Sequence, residues 1–172
     1  MIQSKAVCIA ALGLISLAGC TQTPATEQSS TGAVASATTA AADVAAIRAA
    51  DSAWFEAYNR HDAEAVTALY ANDAVVSMPG MPAARGQAAI REAYQKDIQA
   101  SVRGGYTFNE GANGEFGASG DLGWTWNTFT VTDSSGKTVD TGKFVSVWAR
   151  REGKWVIIHD IWNSDAPPAP AT

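Results

Sequence analysis

Two polar residues sit side by side inside an apolar run near the C-terminus, His159 and Asp160 in Gly153-Lys-Trp-Val-Ile-Ile-His-Asp160. Histidine exchanges protons near neutral pH, and a carboxylate acts as a general base or as a partner for one. The surrounding residues are β-branched and aromatic, so the run reads as a strand. Neighbours on a strand point to opposite faces, so the two are not a His–Asp dyad unless a bulge intervenes. Regular alternation puts Trp155, Ile157, His159 and Ile161 on one face, and Val156, Ile158, Asp160 and Trp162 on the other. Both faces are largely apolar, which leaves open the one that looks inward. His159 is either a part-buried imidazole satisfied by a neighbour or a ligand-binding or acid–base group. Asp160 either caps backbone, pairs with Arg150 or Arg151, or serves as the base.

Other reactive side chains are sparse. His61 lies in Asn59-Arg60-His61-Asp62, where a left-handed turn between two helices suits histidine better than catalysis does. The two histidines are far apart, without metal-ligand spacing, so no metal is expected, and no cofactor is implied. Both cysteines, Cys8 and Cys20, fall in the first twenty residues, which denies the rest of the chain a disulfide or a thiolate. A net charge of −5 with no basic cluster argues against nucleic acid as a partner.

The elements that position these groups begin at the chain's most extended hairpin. Strands over about residues 142–151 and 154–163 flank Glu152-Gly153, a two-residue turn signal. At roughly 3.3 Å per residue each strand spans about 30 Å, enough for the spine of a sheet. Upstream, Val44, Ile47, Trp54, Phe55 and Tyr58 recur at helical spacing after Asp43. Asp62 caps a second predicted helix, from Ala63 to about Ala71, with Val66, Leu69 and Tyr70 turned inward. A short strand over 74–78 precedes an irregular loop holding Met81. A third helix follows Gly86, with Ile90, Tyr94 and Ile98 buried, and stops before Gly104-Gly105. Then come strands over 106–116 and 121–132 before the hairpin. Helices segregated from an antiparallel meander imply an α+β domain, three N-terminal helices packed on a curved, mainly antiparallel sheet in the shape of a cone. Trp54, Tyr58, Met78, Met81, Tyr94, Trp124 and Trp126 are its candidate pocket lining, with core packing as the alternative for each.

The first nineteen residues predict an export signal: Lys5, an apolar stretch from Ala6 to Ala18, then Leu17-Ala18-Gly19-Cys20. That ending resembles the bacterial lipobox, which implies cleavage before Cys20, acylation of its sulfur and a membrane anchor in the cell envelope. Thr21 after the cysteine implies the outer membrane, facing the periplasm, if the cell is Gram-negative. Residues 20–42 then form a disordered tether of Thr, Ala, Ser and Gln, 43–165 the folded domain, and 166–172 a Pro/Ala tail.

Several runs, taken in order, resemble one superfamily. Ala57-Tyr-Asn-Arg-His-Asp62, Leu69-Tyr-Ala-Asn-Asp-Ala74 and Arg85-Gly-Gln-Ala-Ala-Ile90 are similar to the helical half of nuclear transport factor 2-like proteins. Gly120-Asp-Leu-Gly-Trp-Thr-Trp126, Gly142-Lys-Phe-Val-Ser-Val-Trp148 and Gly153 to Asp160 resemble its branch called domain of unknown function 4440, close to the SnoaL-like group. The resemblance implies a conical domain with a central pocket, often paired through its sheet into a homodimer. It leaves the activity open among binding a small, largely apolar ligand, SnoaL-like catalysis with His159 or Asp160 as acid or base, and a scaffolding role. Ketosteroid isomerase, within the same superfamily, uses an Asp base, a Tyr and a protonated Asp. Here Met78 falls at the base position and Trp54 at the tyrosine position, so that mechanism is not expected.

Overall fold

A computed structural model describes residues 31–166, with side chains from residue 39 onward. The signal segment 1–19, Cys20 and nearly all of the Pro/Ala tail lie outside the described residues. In order, the elements are α1 (Thr31–Asn59), α2 (Ala63–Thr67), β1 (Tyr70–Ser77), β2 (Ala84–Arg85), α3 (Gln87–Gly104), β3 (Thr107–Glu110), β4 (Glu115–Ser119), β5 (Leu122–Thr132), β6 (Thr138–Arg151) and β7 (Lys154–Ser164). The strands form one sheet in the order β2-β1-β7-β6-β5-β3, with β4 also on β5. Only β1 against β7 is parallel. The expected α+β architecture is therefore present, and its curved sheet is mixed and not closed.

The hairpin stands at the centre of that sheet. Glu152 and Gly153 have φ of 51° and 78°, the left-handed pair of a two-residue turn whose twist matches the strands. His61 also takes a left-handed φ of 62°, and Asp62 caps α2 by accepting from the Ala65 amide at 2.9 Å. In α3, Ile90, Tyr94 and Ile98 are all buried.

Three boundaries differ from expectation. Helix α1 begins at Thr31 rather than Asp43, taking in part of the predicted tether. Its alanines lose no side-chain entropy on becoming helical, which favours continuing the helix through this stretch. Asp43 does not start the helix but ties it to the sheet, 2.6 Å from Arg150. Tyr70 opens β1 instead of facing inward from α2, because its hydroxyl finds three partners that only a strand position reaches. The strand expected over 106–116 is two strands, β3 and β4, on the same edge of β5. They are parted where the Asn127 amide reaches the Gly111 carbonyl at 3.0 Å.

The largest departure is a bulge in β7. Val147 of β6 faces His159 while Trp148 faces Ile157, leaving Ile158 as the extra residue. A bulge breaks the period of two. Trp155 and Ile157 are buried on the inner face before it, and Asp160 is buried there after it, while His159 and Ile161 are exposed outside.

The turn supplies a test of local strain. Glu152 holds a left-handed conformation that disfavours most side chains and that asparagine tolerates. Glu152→Asn is expected to stabilise the domain by about 0.5–1 kcal/mol, read as a higher urea midpoint at unchanged slope.

Candidate ligand cavity

The helices cover the inner face incompletely and leave a cavity lined from α1, α3, β3, β5, β6 and β7. It leaves the centre of a water-sized sphere about 40 Å³, room for a few waters or a ligand group of a few heavy atoms. Its walls are mostly aromatic: Trp54 and Tyr58 stack at 5.2 Å, Trp54 meets Tyr94 edge-on at 5.6 Å, and Phe129 meets Trp162 at 5.9 Å. Into this apolar lining project three carboxyl groups, Asp51, Asp97 and Asp160, together with the Ser146 hydroxyl.

Asp160 is the best supported of the three. Its Oδ1 accepts from Ser146 at 3.0 Å, and its Oδ2 accepts from Tyr70 at 2.7 Å and Tyr94 at 3.4 Å. The Tyr70 oxygen in turn accepts from the Trp54 indole at 3.0 Å and lies 2.7 Å from the Tyr94 hydroxyl. With the single Tyr70 proton directed to Asp160, the single Tyr94 proton is shared between the Tyr70 oxygen and the more distant Asp160 Oδ2. Burial raises the Asp160 pKa, and the three hydroxyl bonds only partly oppose that rise. Burial and the facing Asp160 charge likewise hold both tyrosines well above their ordinary value, which keeps them neutral donors.

Asp51 contrasts with it. The residue is 3 % exposed, and its Oδ2 is fully buried without a hydrogen-bond partner. Loss of water first, then the charges of Glu110 and Asp160, push its pKa up to about 8, with Arg48 opposing. Arg48 lies over the Phe116 ring at 4.0 Å and is not part of the lining. Glu110 is held by Ser52 at 2.8 Å and Asn127 at 3.2 Å. Asp97 accepts from the Tyr58 hydroxyl at 2.6 Å, and burial raises its pKa despite that bond. At neutral pH, Asp51 therefore carries a proton that it can donate.

The site residues expected from sequence divide three ways. Trp54, Tyr58, Tyr94 and Asp160 meet in the cavity. His159 does not, because the bulge turns it to the exposed face. Nor do Trp124 and Trp126, 43 % and 38 % exposed on the outer face of β5. Met81 is exposed in the β1–β2 loop, and Met78 is buried in the main apolar core outside the cavity lining. Asp160 does not pair with Arg150 or Arg151; Arg150 goes to Asp43 and Asp121. The sequence reading missed Asp51, Asp97, Tyr70 and Ser146. A usable signal existed for Asp51: it continues the buried stripe of Ile47, Phe55 and Tyr58 on α1, where a carboxylate is unexpected.

The raised Asp51 pKa has a definite sign for stability. Between about pH 4 and pH 8 the folded state holds a proton that the unfolded chain has released, so stability falls as pH rises through that window. Asp160 and Asp97 act in the same direction. Asp51→Asn is expected to be more stable than the parent at pH 8 and to flatten the profile between pH 5 and 8. Urea unfolding across that range checks both, with a slope of up to about 1.4 kcal/mol per pH unit at stake.

Comparison with known proteins agrees with this architecture. The family model of the SnoaL-like domain matches residues 52–158. An NTF2-like protein with a cystatin-like fold from Novosphingobium aromaticivorans superposes with a TM-score of 0.68 at 19% identity, covering 79% of this chain and 90% of that one. An NTF2-like protein of unknown function from Pseudomonas putida gives 0.67 at 21%, covering 76% and 90%. A ketosteroid isomerase-like protein from Erwinia carotovora atroseptica gives 0.56 at 26%, covering 73% and 98%. No curated protein sequence matches the chain. The helices, the open mixed sheet and the match to most of the folded region lead to one conclusion: this chain belongs to the SnoaL-like domain family, of the NTF2-like superfamily.

Proposed function

We propose that the domain binds a small molecule in the aromatic cavity, oriented by the carboxyl groups of Asp51 and Asp160. The carrying observation is the buried Asp51 Oδ2 without a partner. An unsatisfied buried polar atom costs about 1–3 kcal/mol, and a ligand donor or acceptor placed in the cavity removes that penalty. The aromatic walls supply the area for an apolar body. Native mass spectrometry of the full chain purified from its source tests the reading. A released small molecule, lost or weakened in Asp51→Asn, is the expected result; a chain with no bound mass that also ignores a small-molecule library in thermal melts overturns it.

The Trp54–Tyr70–Asp160 chain, with Tyr94 beside it, favours a second reading, proton transfer on the bound molecule with Asp160 as base. That is the SnoaL-like kind of chemistry, one of the three readings that the sequence leaves open, and the likeness to a ketosteroid isomerase-like protein supports it in kind. The mechanism of ketosteroid isomerase itself still fits poorly, because Met78 is core and Trp54 is an N–H donor. Deuterium from solvent entering a carbon of the eluted ligand, and failing to enter with Asp160→Asn, is the expected signature.

The cellular setting is proposed on sequence grounds: a bacterial lipoprotein of the domain of unknown function 4440 branch, anchored through acylated Cys20. Acyl chains contribute about 0.8 kcal/mol per buried CH₂, so several chains hold firmly. Cys20→Ala is expected to move the protein from the membrane pellet to the soluble fraction. We also propose a homodimer through the outer sheet face. There Trp124, Trp126, Val145 and Ile161 are exposed together, in register across β5, β6 and β7. Light scattering should read twice the monomer mass, and Trp126→Glu should halve it. A monomeric parent would instead leave that face to a different protein, the scaffolding alternative.

A further inference from the structure

Among the described residues, the charged groups that line the cavity or act on Asp51 are acidic except one. Asp51 projects from α1, Asp97 from α3 and Asp160 from β7 into the lining, and Glu110 stands behind Asp51 on β3. The exception, Arg48, stacks on Phe116 and lies outside the lining. An anionic ligand would meet three carboxyl groups and no basic side chain in the lining. A neutral ligand could give Asp51 a hydrogen bond, but it would bring no positive charge to a lining that holds three carboxyl groups. A cation answers both. Among the described residues no set of three side chains converges as metal ligands, and the remaining walls are mostly aromatic rings, those of Trp54, Tyr58, Tyr94 and Trp162 among them. Aromatic faces attract ammonium groups, and more strongly where both are shielded from water.

We propose that the ligand is an organic ammonium ion, a protonated or methylated amine on a small apolar body, its cationic head at Asp51 and Asp160 and its body against the aromatic rings. This rests on the small-molecule reading above and specifies its ligand class. Asp51 Oδ2 accepts the ammonium N–H, or faces the methyl groups of a quaternary head, and the added positive charge offsets the field of Glu110 and Asp160. The about 40 Å³ of room limits what is enclosed to the head and its first carbons, with the rest of the molecule in the mouth. Binding is coupled to a proton. The empty site holds Asp51 protonated below about pH 8, and a cation favours the carboxylate, so the proton leaves as the amine enters.

The test uses three small probes of similar size, propylammonium, 1-propanol and propionate, on the chain with ¹⁵N-labelled indoles. The Trp54 N–H reports from inside the cavity. Propylammonium is expected to shift that signal with about tenfold greater affinity than 1-propanol, and propionate to leave it unmoved. Propylammonium affinity should climb from pH 6 to pH 8.5, where the amine itself stays protonated. Asp51→Asn should abolish both the preference and the climb. Equal affinity for propylammonium and 1-propanol would sink the ammonium assignment while leaving a small-molecule cavity standing. No shift with any probe would sink both. The wild-type pH profile keeps the inference exposed should Asp51→Asn fail to fold: a flat profile overturns the coupling to Asp51.

Discussion

The Asp160 carboxyl is the knot on which the inner architecture depends. Its partners come from separate parts of the chain: Tyr70 from β1, Tyr94 from α3 and Ser146 from β6, while Trp54 of α1 reaches it through Tyr70. A carboxylate inside an apolar core is tolerated only when donors replace its water, so the sheet, α1 and α3 have to close together around it. This is a long-range constraint, with partners up to 90 residues apart in sequence. It also explains why Tyr70 belongs to a strand, since a helical turn there would carry its hydroxyl away from the knot.

Asp51 shows the same chemistry left incomplete. Both carboxyl groups are buried in one cavity, yet one has three hydroxyl donors and the other has a bare oxygen. Folding alone gives no reason to place an acid there, because an apolar residue on the α1 stripe would pack without desolvation cost. Retained strain of this kind points to a partner outside the chain. The division of labour follows: Asp160 is fixed by the fold, and Asp51 is kept available.

The fold was legible in the sequence wherever local chemistry decides. Glu152-Gly153 marked its turn, Asp62 its cap, His61 its left-handed turn, and the periodicity of Ile90, Tyr94 and Ile98 its buried face. These signals need only neighbours within a few residues. The cavity was half legible. Trp54, Tyr58 and Tyr94 could be placed by helical period, whereas Trp124 and Trp126 were misplaced and the choice between His159 and Asp160 stayed open, because strand alternation sorts residues into two sets without saying which is inside. Asp51 was overlooked although its spacing marked it, since an acid in an apolar stripe is most simply read as a solvated edge.

One extra residue decides the rest. Without Ile158 as a bulge, strict alternation from the buried Trp155 and Ile157 would bring His159 into the cavity and send Asp160 out to the exposed face. The sheet would then place an imidazole near the hydroxyls of Tyr70 and Tyr94, and the pocket would lose one of its three carboxyl groups. With the bulge, Ser146, directly opposite Asp160 on β6, becomes its donor, and Trp162 follows onto the inner face as an aromatic wall. His159 joins Val147, Val145 and Ile161 on the outer surface. The insertion thus sets the charge of the cavity and the composition of the opposite face at once, which ties ligand class and surface chemistry to the same backbone irregularity.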